Sequence, residues 1–168
     1  MGEHYSASPI GAENADTAFP LLSLRYPDLS LQDWRRTVRR LTRMPCEQGG
    51  LMMVRDLRGR VLAVFAYRSG GNLAGEAVLR VSDVLMGRLP GDLLPAAVAA
   101  AAARLAGELG HTRVAMEFAD AAFGNDAAEA LSKAGFEEEG RLLVRTASAA
   151  AGGCRPVGPG FIAAGPAA

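Results

Sequence analysis

The stretch EAVLRVSDVLM (76–86), GRLPGD (87–92), LLPAAVAAAAARLAGEL (93–109), GH (110–111), TRVAMEF (112–118) decides the fold. Its first segment is a valine-rich apolar run ended by Gly and Pro punctuation, which reads as a strand and a turn. Leu93–Leu109 has the alanine and leucine composition of a strong helix. Thr112–Phe118 then places Val114, Met116 and Phe118 on one side and reads as a second buried strand. Asn125–Ala134 is helical again, and Gly135 supplies its stop. Strand, crossover helix and strand make a right-handed parallel unit. Its two strands lead away from each other into helices and open a crevice at their C-terminal ends, where ligands of open α/β sheets sit.

Upstream, GGLMMVRD (49–56) and RVLAVFAYR (60–68) flank the short turn Leu57-Arg58-Gly59 and predict a hairpin. SGGNLAG (69–75) reads as the next turn, so antiparallel strands precede the crossover. Tyr5–Ile10 can add at most an edge strand to a small, polar N-terminus. Ser30 is an N-cap with Asp33 three residues later. The helix it starts carries Leu31, Trp34, Val38 and Leu41 on one stripe and Arg35, Arg36, Arg39, Arg40 and Arg43 on the other. The basic face reads as a solvated one. After Phe136, EEEG and RLLVRT suggest one or two closing strands, and 147–168 is a Gly/Ala/Pro tail with little to bury. The fold class is therefore α/β: one domain over 1–146, with a mixed, mostly antiparallel sheet, a central parallel pair and helices on both faces.

Composition narrows the function. The chain has 168 residues, a formal net charge of zero, 49% hydrophobic and 21% charged residues. Nothing there favours nucleic acid or an anionic membrane. Lys133 is the only lysine. Cys46 and Cys154 are too few for a disulfide framework and lack metal-ligand spacing. The N-terminus lacks the basic and apolar regions of a signal peptide, and the apolar run 93–106 is short and contains Pro95 and Arg104. A cytoplasmic protein is expected.

The chemistry concentrates where the first strand hands over to the helix. Gly87–Leu94 is a Gly-containing turn into a helix N-terminus, with Arg88 nearby, an arrangement suited to phosphate or pyrophosphate. Asp92 reads equally well as the cap of that helix. For a general base the chain offers Asp83, Glu76, Glu117 and Asp120. Asp83, in VSDV, shares strand parity with Val81 and Leu85, which predicts a carboxylate between apolar neighbours. His111 follows Gly110 and reads as a turn residue.

In order and in motif, Phe19–Thr146 resembles the GNAT superfamily of N-acetyltransferases. PLLSLRYPDLS (20–30) with the Trp34 helix is similar to the paired N-terminal helices of one branch. VSDVLM (81–86) is similar to that branch's fourth strand. NDAAEALSKAGF (125–136) resembles the family's N-x-x-A…Y-x-x-x-G-F segment, with Asn125, Ala128, Gly135 and Phe136 in place.

The resemblance implies acetyl-CoA as co-substrate. Main-chain groups of Leu85 and Met86 would bind the thioester carbonyl and pantetheine arm, and Asn125 would contact the pantetheine or adenine side. Arg88, Gly91, Asp92 and Leu93 fall on the pyrophosphate loop Q/R-x-x-G-x-G/A, with Leu93 where the family has Gly or Ala. A leucine Cβ there obstructs close backbone approach, and the Asp92 carboxylate repels the phosphates. Leu131 stands where the family has the tyrosine that protonates the departing thiolate. Asp83 is the expected general base. The acceptor would be a small-molecule or peptide amine, in a groove lined by Tyr26–Leu29 and Glu137–Glu139, and a homodimer through C-terminal strands is a family habit. The expected function is thus acyl transfer from acyl-CoA to an amine; the departures at Asp92, Leu93 and Leu131 favour the alternative, a degenerate, non-catalytic domain used for ligand binding or protein interaction. Another phosphorylated ligand at the helix start is a third reading.

Overall fold

The computed structural model describes residues 4–87, 93–118 and 125–138. Five strands form one sheet in the order β1 (Tyr5–Pro9), β2 (Gly49–Asp56), β3 (Val61–Gly71), β4 (Ala77–Met86) and β5 (Arg113–Met116). The first three pairings are antiparallel, and β4 runs parallel to β5. Helices α1 (Ala15–Arg25) and α2 (Leu31–Leu41) cover one face. The other face carries α3 (Leu93–Glu108), against which α4 (Asn125–Lys133) packs.

Strand alternation sorts the apolar side chains into two cores. Met52, Val54, Ala63, Phe65, Tyr67, Leu79 and Val81 meet Val98, Ala102 and Leu105 of α3. The alanines let that helix lie close to the sheet. Leu51, Met53 and Val64 meet Ala18, Leu22, Trp34 and Val38 on the opposite side.

Local sequence explains the element ends. Ser30 Oγ accepts from the Asp33 N–H at 3.1 Å and donates to the Asp33 carboxylate at 2.7 Å, which starts α2. Arg35 and Arg36 on its exposed face pair with Asp16 and Asp33. At the end of α3, Gly110 takes φ +76, and the His111 N–H reaches back to the Ala106 carbonyl at 2.8 Å. Gly135 ends α4 the same way, with φ +85 and the Phe136 N–H on the Leu131 carbonyl. Pro95 sits in the first turn of α3, where it displaces no intrahelical bond.

Among the strands, two boundaries differ from the sequence reading by two residues or more. The turn expected over 69–75 comes later, because Ser69, Gly70 and Gly71 stay extended and pair with Leu79, Val78 and Ala77. Asn72 makes the reversal instead, its Oδ1 accepting from the N–H groups of Ala74 and Glu76. Tyr5–Pro9 is the edge strand expected over Tyr5–Ile10, in register with Asp56–Met52. β5 stops at Met116, two residues short of the expected end. Of the closing strands expected after Phe136, residues 137 and 138 are described and lie in no strand, and the rest, with the tail, lies outside the described residues. No described helix is long and apolar enough to cross a membrane.

Candidate active site

The site begins with a one-residue irregularity in β4. Ser82 stands opposite Ala66 and Leu85 opposite Val64, so Asp83 and Val84 together oppose Phe65. That is a β-bulge. Asp83 makes it with φ +51, the one non-glycine residue at positive φ among the described residues. Aspartate is among the few side chains that tolerate this region. The extra residue turns β4 over: Leu79 and Val81 face α3 before it, Val84 and Met86 face α3 after it, and Leu85 packs toward α1 and α2.

This corrects one expectation. Asp83 was expected between Val81 and Leu85 on an apolar face, but those two residues lie on opposite faces. Asp83 itself is exposed, and among the described residues its carboxylate accepts from the Ser82 hydroxyl alone, at 3.4 Å.

The bulge also redirects the main chain. Val81 is turned toward β5, its carbonyl accepting from the Glu117 N–H at 2.8 Å. Beyond it the parallel ladder stops, since the final pair is Val81 with Met116. On the far side of the bulge, the Gly87 N–H donates to the Leu62 carbonyl at 2.7 Å. Antiparallel alternation then commits the main-chain groups of Leu85 to β3 and turns those of Val84 and Met86 toward the gap left by β5. Of the pair named from the sequence, Met86 has its main-chain groups on the side of β5, together with Val84, and Leu85 has its groups on the side of β3. Leu85 contributes a side chain to the α1/α2 core.

Other expected residues spread out. Glu76 is at the opposite end of β4, where the Asn72 amide and then the Arg113 guanidinium hold its carboxyl below the usual value. Glu117 does lie at the parting, immediately after β5. Leu93 begins α3 and is 62% exposed, lining a depression of about 400 Å³ with Asp56, Arg58, Arg60 and Leu62. Arg88, Gly91, Asp92 and Asp120 lie outside the described residues; Asn125 opens α4, and its side chain lies outside them too. Leu131 is buried, so its position in α4 is filled by a packing side chain. His111 pairs with Ser69 across 2.8 Å at the end of the sheet away from the parting. The bulge escaped the sequence reading, although VLM (84–86) breaks the alternation of Leu79 and Val81 and marks where parity changes.

No protein-family model matches the chain, and no curated protein matches it by sequence. Solved structures match it in shape. Glucosamine-6-phosphate N-acetyltransferase from Arabidopsis thaliana superposes with a TM-score of 0.65 at 10% identity, over 86% of this chain and 99% of that one. An aminoglycoside N-acetyltransferase solved in complex with CoA gives 0.64 at 10% identity, over 88% and 97%. A transcriptional regulator from Bacillus halodurans C-125 gives 0.69 at 12% identity, over 85% and 99%. Identities this low speak for fold alone, and the fold of this chain is that of the GNAT N-acetyltransferases.

Proposed function

We propose that the domain is an N-acyltransferase that moves an acyl group, acetyl in the simplest case, from acyl-CoA to an amine. The observation carrying this reading is the parting of β4 from β5, with the main-chain groups of Val84 and Met86 turned into it. A strand edge that has no partner among the described residues suits an extended, amide-bearing arm, which can add to it as a further strand would. The chemistry supplied by the co-substrate is a thioester, already activated toward amines.

The chain's own residues then have definite tasks. N–H groups at the parting hold the thioester carbonyl and stabilise the charge that gathers on its oxygen. Asp83, exposed beside them, accepts the proton of the attacking ammonium, directly or through water. The exposed Glu137 and Glu138 favour a cationic acceptor, small molecule or peptide. Leu131 cannot protonate the departing thiolate, which leaves without that assistance; general acid catalysis is typically worth about a hundred- to ten-thousand-fold.

A second reading is a non-catalytic binding domain, favoured by the buried leucine at position 131. Calorimetric titration with acetyl-CoA separates the two, using the wild type and the double variant Asp92→Gly, Leu93→Gly. Micromolar binding by the wild type, followed by acetylation within a panel of amines, supports the enzyme. Binding gained only by the variant supports the second reading, and binding by neither removes the cofactor assignment.

A further inference from the structure

We infer that the depression between the start of α1 and the middle of α2 is a binding site for a small zwitterion, a molecule carrying one ammonium and one carboxylate as a free amino acid does. The inference goes beyond the acyltransferase reading and uses none of its residues. Ala12, Glu13, Ala15, Asp16, Arg35 and Arg39 line a depression of about 340 Å³ there, within the usual size of a small-molecule site. The parting lies elsewhere. Residues 12–16 follow β1, and the Ile10 N–H just before them donates to the Leu51 carbonyl of β2 at 2.9 Å. β3 stands between that strand and β4.

Charge decides what the depression takes. Two of its four charged side chains satisfy each other: Arg35 grips Asp16 with two bonds, Nε donating to Oδ1 at 2.7 Å and a terminal nitrogen donating to Oδ2. The other two do not. Among the described residues, neither the Glu13 carboxylate nor the Arg39 guanidinium has a hydrogen-bond or ion-pair partner, although they are opposite in sign and line the same space. Two opposite charges that share a depression without meeting leave room for a molecule that has both, its carboxylate on Arg39 and its ammonium on Glu13. A ligand of one sign only would gain one of these contacts and be repelled by the other group. Arg39 lies one turn along α2 from Arg35, so the Arg35–Asp16 pair walls the site beside it.

The backbone around the acid is arranged for it. A Cβ on Gly11 would fall among the atoms of the Glu13 carboxylate, so glycine is what lets that group lie where it does. The turn is pinned by the Gly11 N–H, which donates to Asn14 Oδ1 at 2.8 Å, and by Asn14 Nδ2, which donates to the Pro9 carbonyl at 3.1 Å. Ala12 and Ala15 are small enough to leave the space open, and the Trp34 indole holds the Ala15 carbonyl.

The test is an amide-resolved NMR titration of the full chain with glycine, β-alanine and 4-aminobutanoate, which set the two charges at increasing separations. Butylamine and butanoate, with one charge each, are the controls. At least one zwitterion should bind with Kd below about 10 mM, the weak affinity proper to solvent-exposed charges, and should shift the amides of Glu13, Asp16, Arg35 and Arg39. Both controls should bind at least about tenfold more weakly. Glu13→Gln and Arg39→Gln should each weaken the zwitterion by about tenfold or more, the loss of one bond to a charged group. Gly11→Ala should weaken it as well with the melting temperature unchanged, because its methyl displaces only the end of a flexible side chain. Arg40→Gln, exposed on α2 but outside the depression, should leave binding unchanged. The inference is overturned if no zwitterion saturates below about 10 mM, if a control binds as well, if Gly11→Ala binds like the wild type, or if Arg40→Gln weakens binding as much as Arg39→Gln. Binding that is lost in Asp83→Asn and kept in Glu13→Gln belongs to the parting and overturns it too. No arm of the test uses acyl-CoA, so its failure leaves the acyltransferase reading standing, and the absence of acyl transfer leaves this site standing.

Discussion

The indole N–H of Trp34 donates to the Ala15 carbonyl at 2.7 Å, tying the middle of α2 to the first residue of α1. Both residues are buried, and both pack over Leu51, Met53 and Val64. Apolar contact alone would let the two helices slide; the bond fixes one register. Trp34→Phe keeps an aromatic ring but removes this donor, while the Ala15 carbonyl stays in the α1 ladder. A loss of about 0.5–1.5 kcal/mol, the net worth of one hydrogen bond, is expected. Urea unfolding should show a lower midpoint at an unchanged m value. An unchanged midpoint would mean that the bond contributes nothing beyond packing.

Phe65 is fully buried under α3 and stands opposite the bulge. Its ring fills the space that two residues of β4 frame, so truncation leaves a cavity in the larger core. Phe65→Ala is expected to cost about 3–5 kcal/mol. Because the ring also backs the Asp83–Val84 segment, the smaller change Phe65→Leu should increase amide exchange at Leu85 more than at Ala63, which is locked between two strands.

Much of this organisation was legible from Glu76 onward, for a physical reason. Strand and helix periods differ, and the switch from VLRV to the alanine run and back to RVAM is a switch of period that only a crossover satisfies. Ser30 and Gly135 were readable because caps act within one turn of chain. The bulge was not, since a register shift depends on which residues of β3 stand opposite, and no local propensity encodes that pairing. Parity misled the reading of Asp83 for the same reason: one inserted residue reverses the face of everything after it. Glu76 was an equal candidate by type, and only the length of β4 separates it from the parting.

Gly110 takes φ +76 at the end of α3, and among the described residues no atom beyond its chain neighbours lies within 4 Å of the place a Cβ would occupy. A substitution there meets backbone strain and nothing else. Gly110→Ala is therefore expected to cost about 1–2 kcal/mol. Gly107, inside the same helix with equal space and no positive φ, is the matched control. Gly107→Ala should stabilise by about 0.5–1 kcal/mol, since glycine is the poorer helix former. Opposite signs from the same substitution three residues apart would establish that the cap conformation, and not crowding, ends the helix.

Asp56 closes the β2–β3 hairpin and gives the clearest expectation in acid. One of its oxygens accepts from the N–H groups of Arg58 and Arg60, both at 2.9 Å, and the other accepts from Arg60 Nε at 2.7 Å. The Arg60 backbone bond, with help from its guanidinium and the Arg58 N–H, holds the carboxyl below its usual value. A depressed carboxylate stabilises the fold fully above the unfolded-state value, roughly 4, and loses that contribution as pH falls through the folded value. Asp16, held down chiefly by its bond to Arg35, and Glu76 behave alike, so acidification alone cannot isolate the hairpin. The difference between wild type and Asp56→Asn can. Asparagine retains an acceptor for the two backbone N–H groups but has no charge to lose. The midpoint difference in denaturant should be constant from pH 8 to about 5 and shrink below roughly 4. A difference that persisted unchanged to pH 2 would assign the stabilisation to hydrogen-bond geometry and not to the ionised carboxylate.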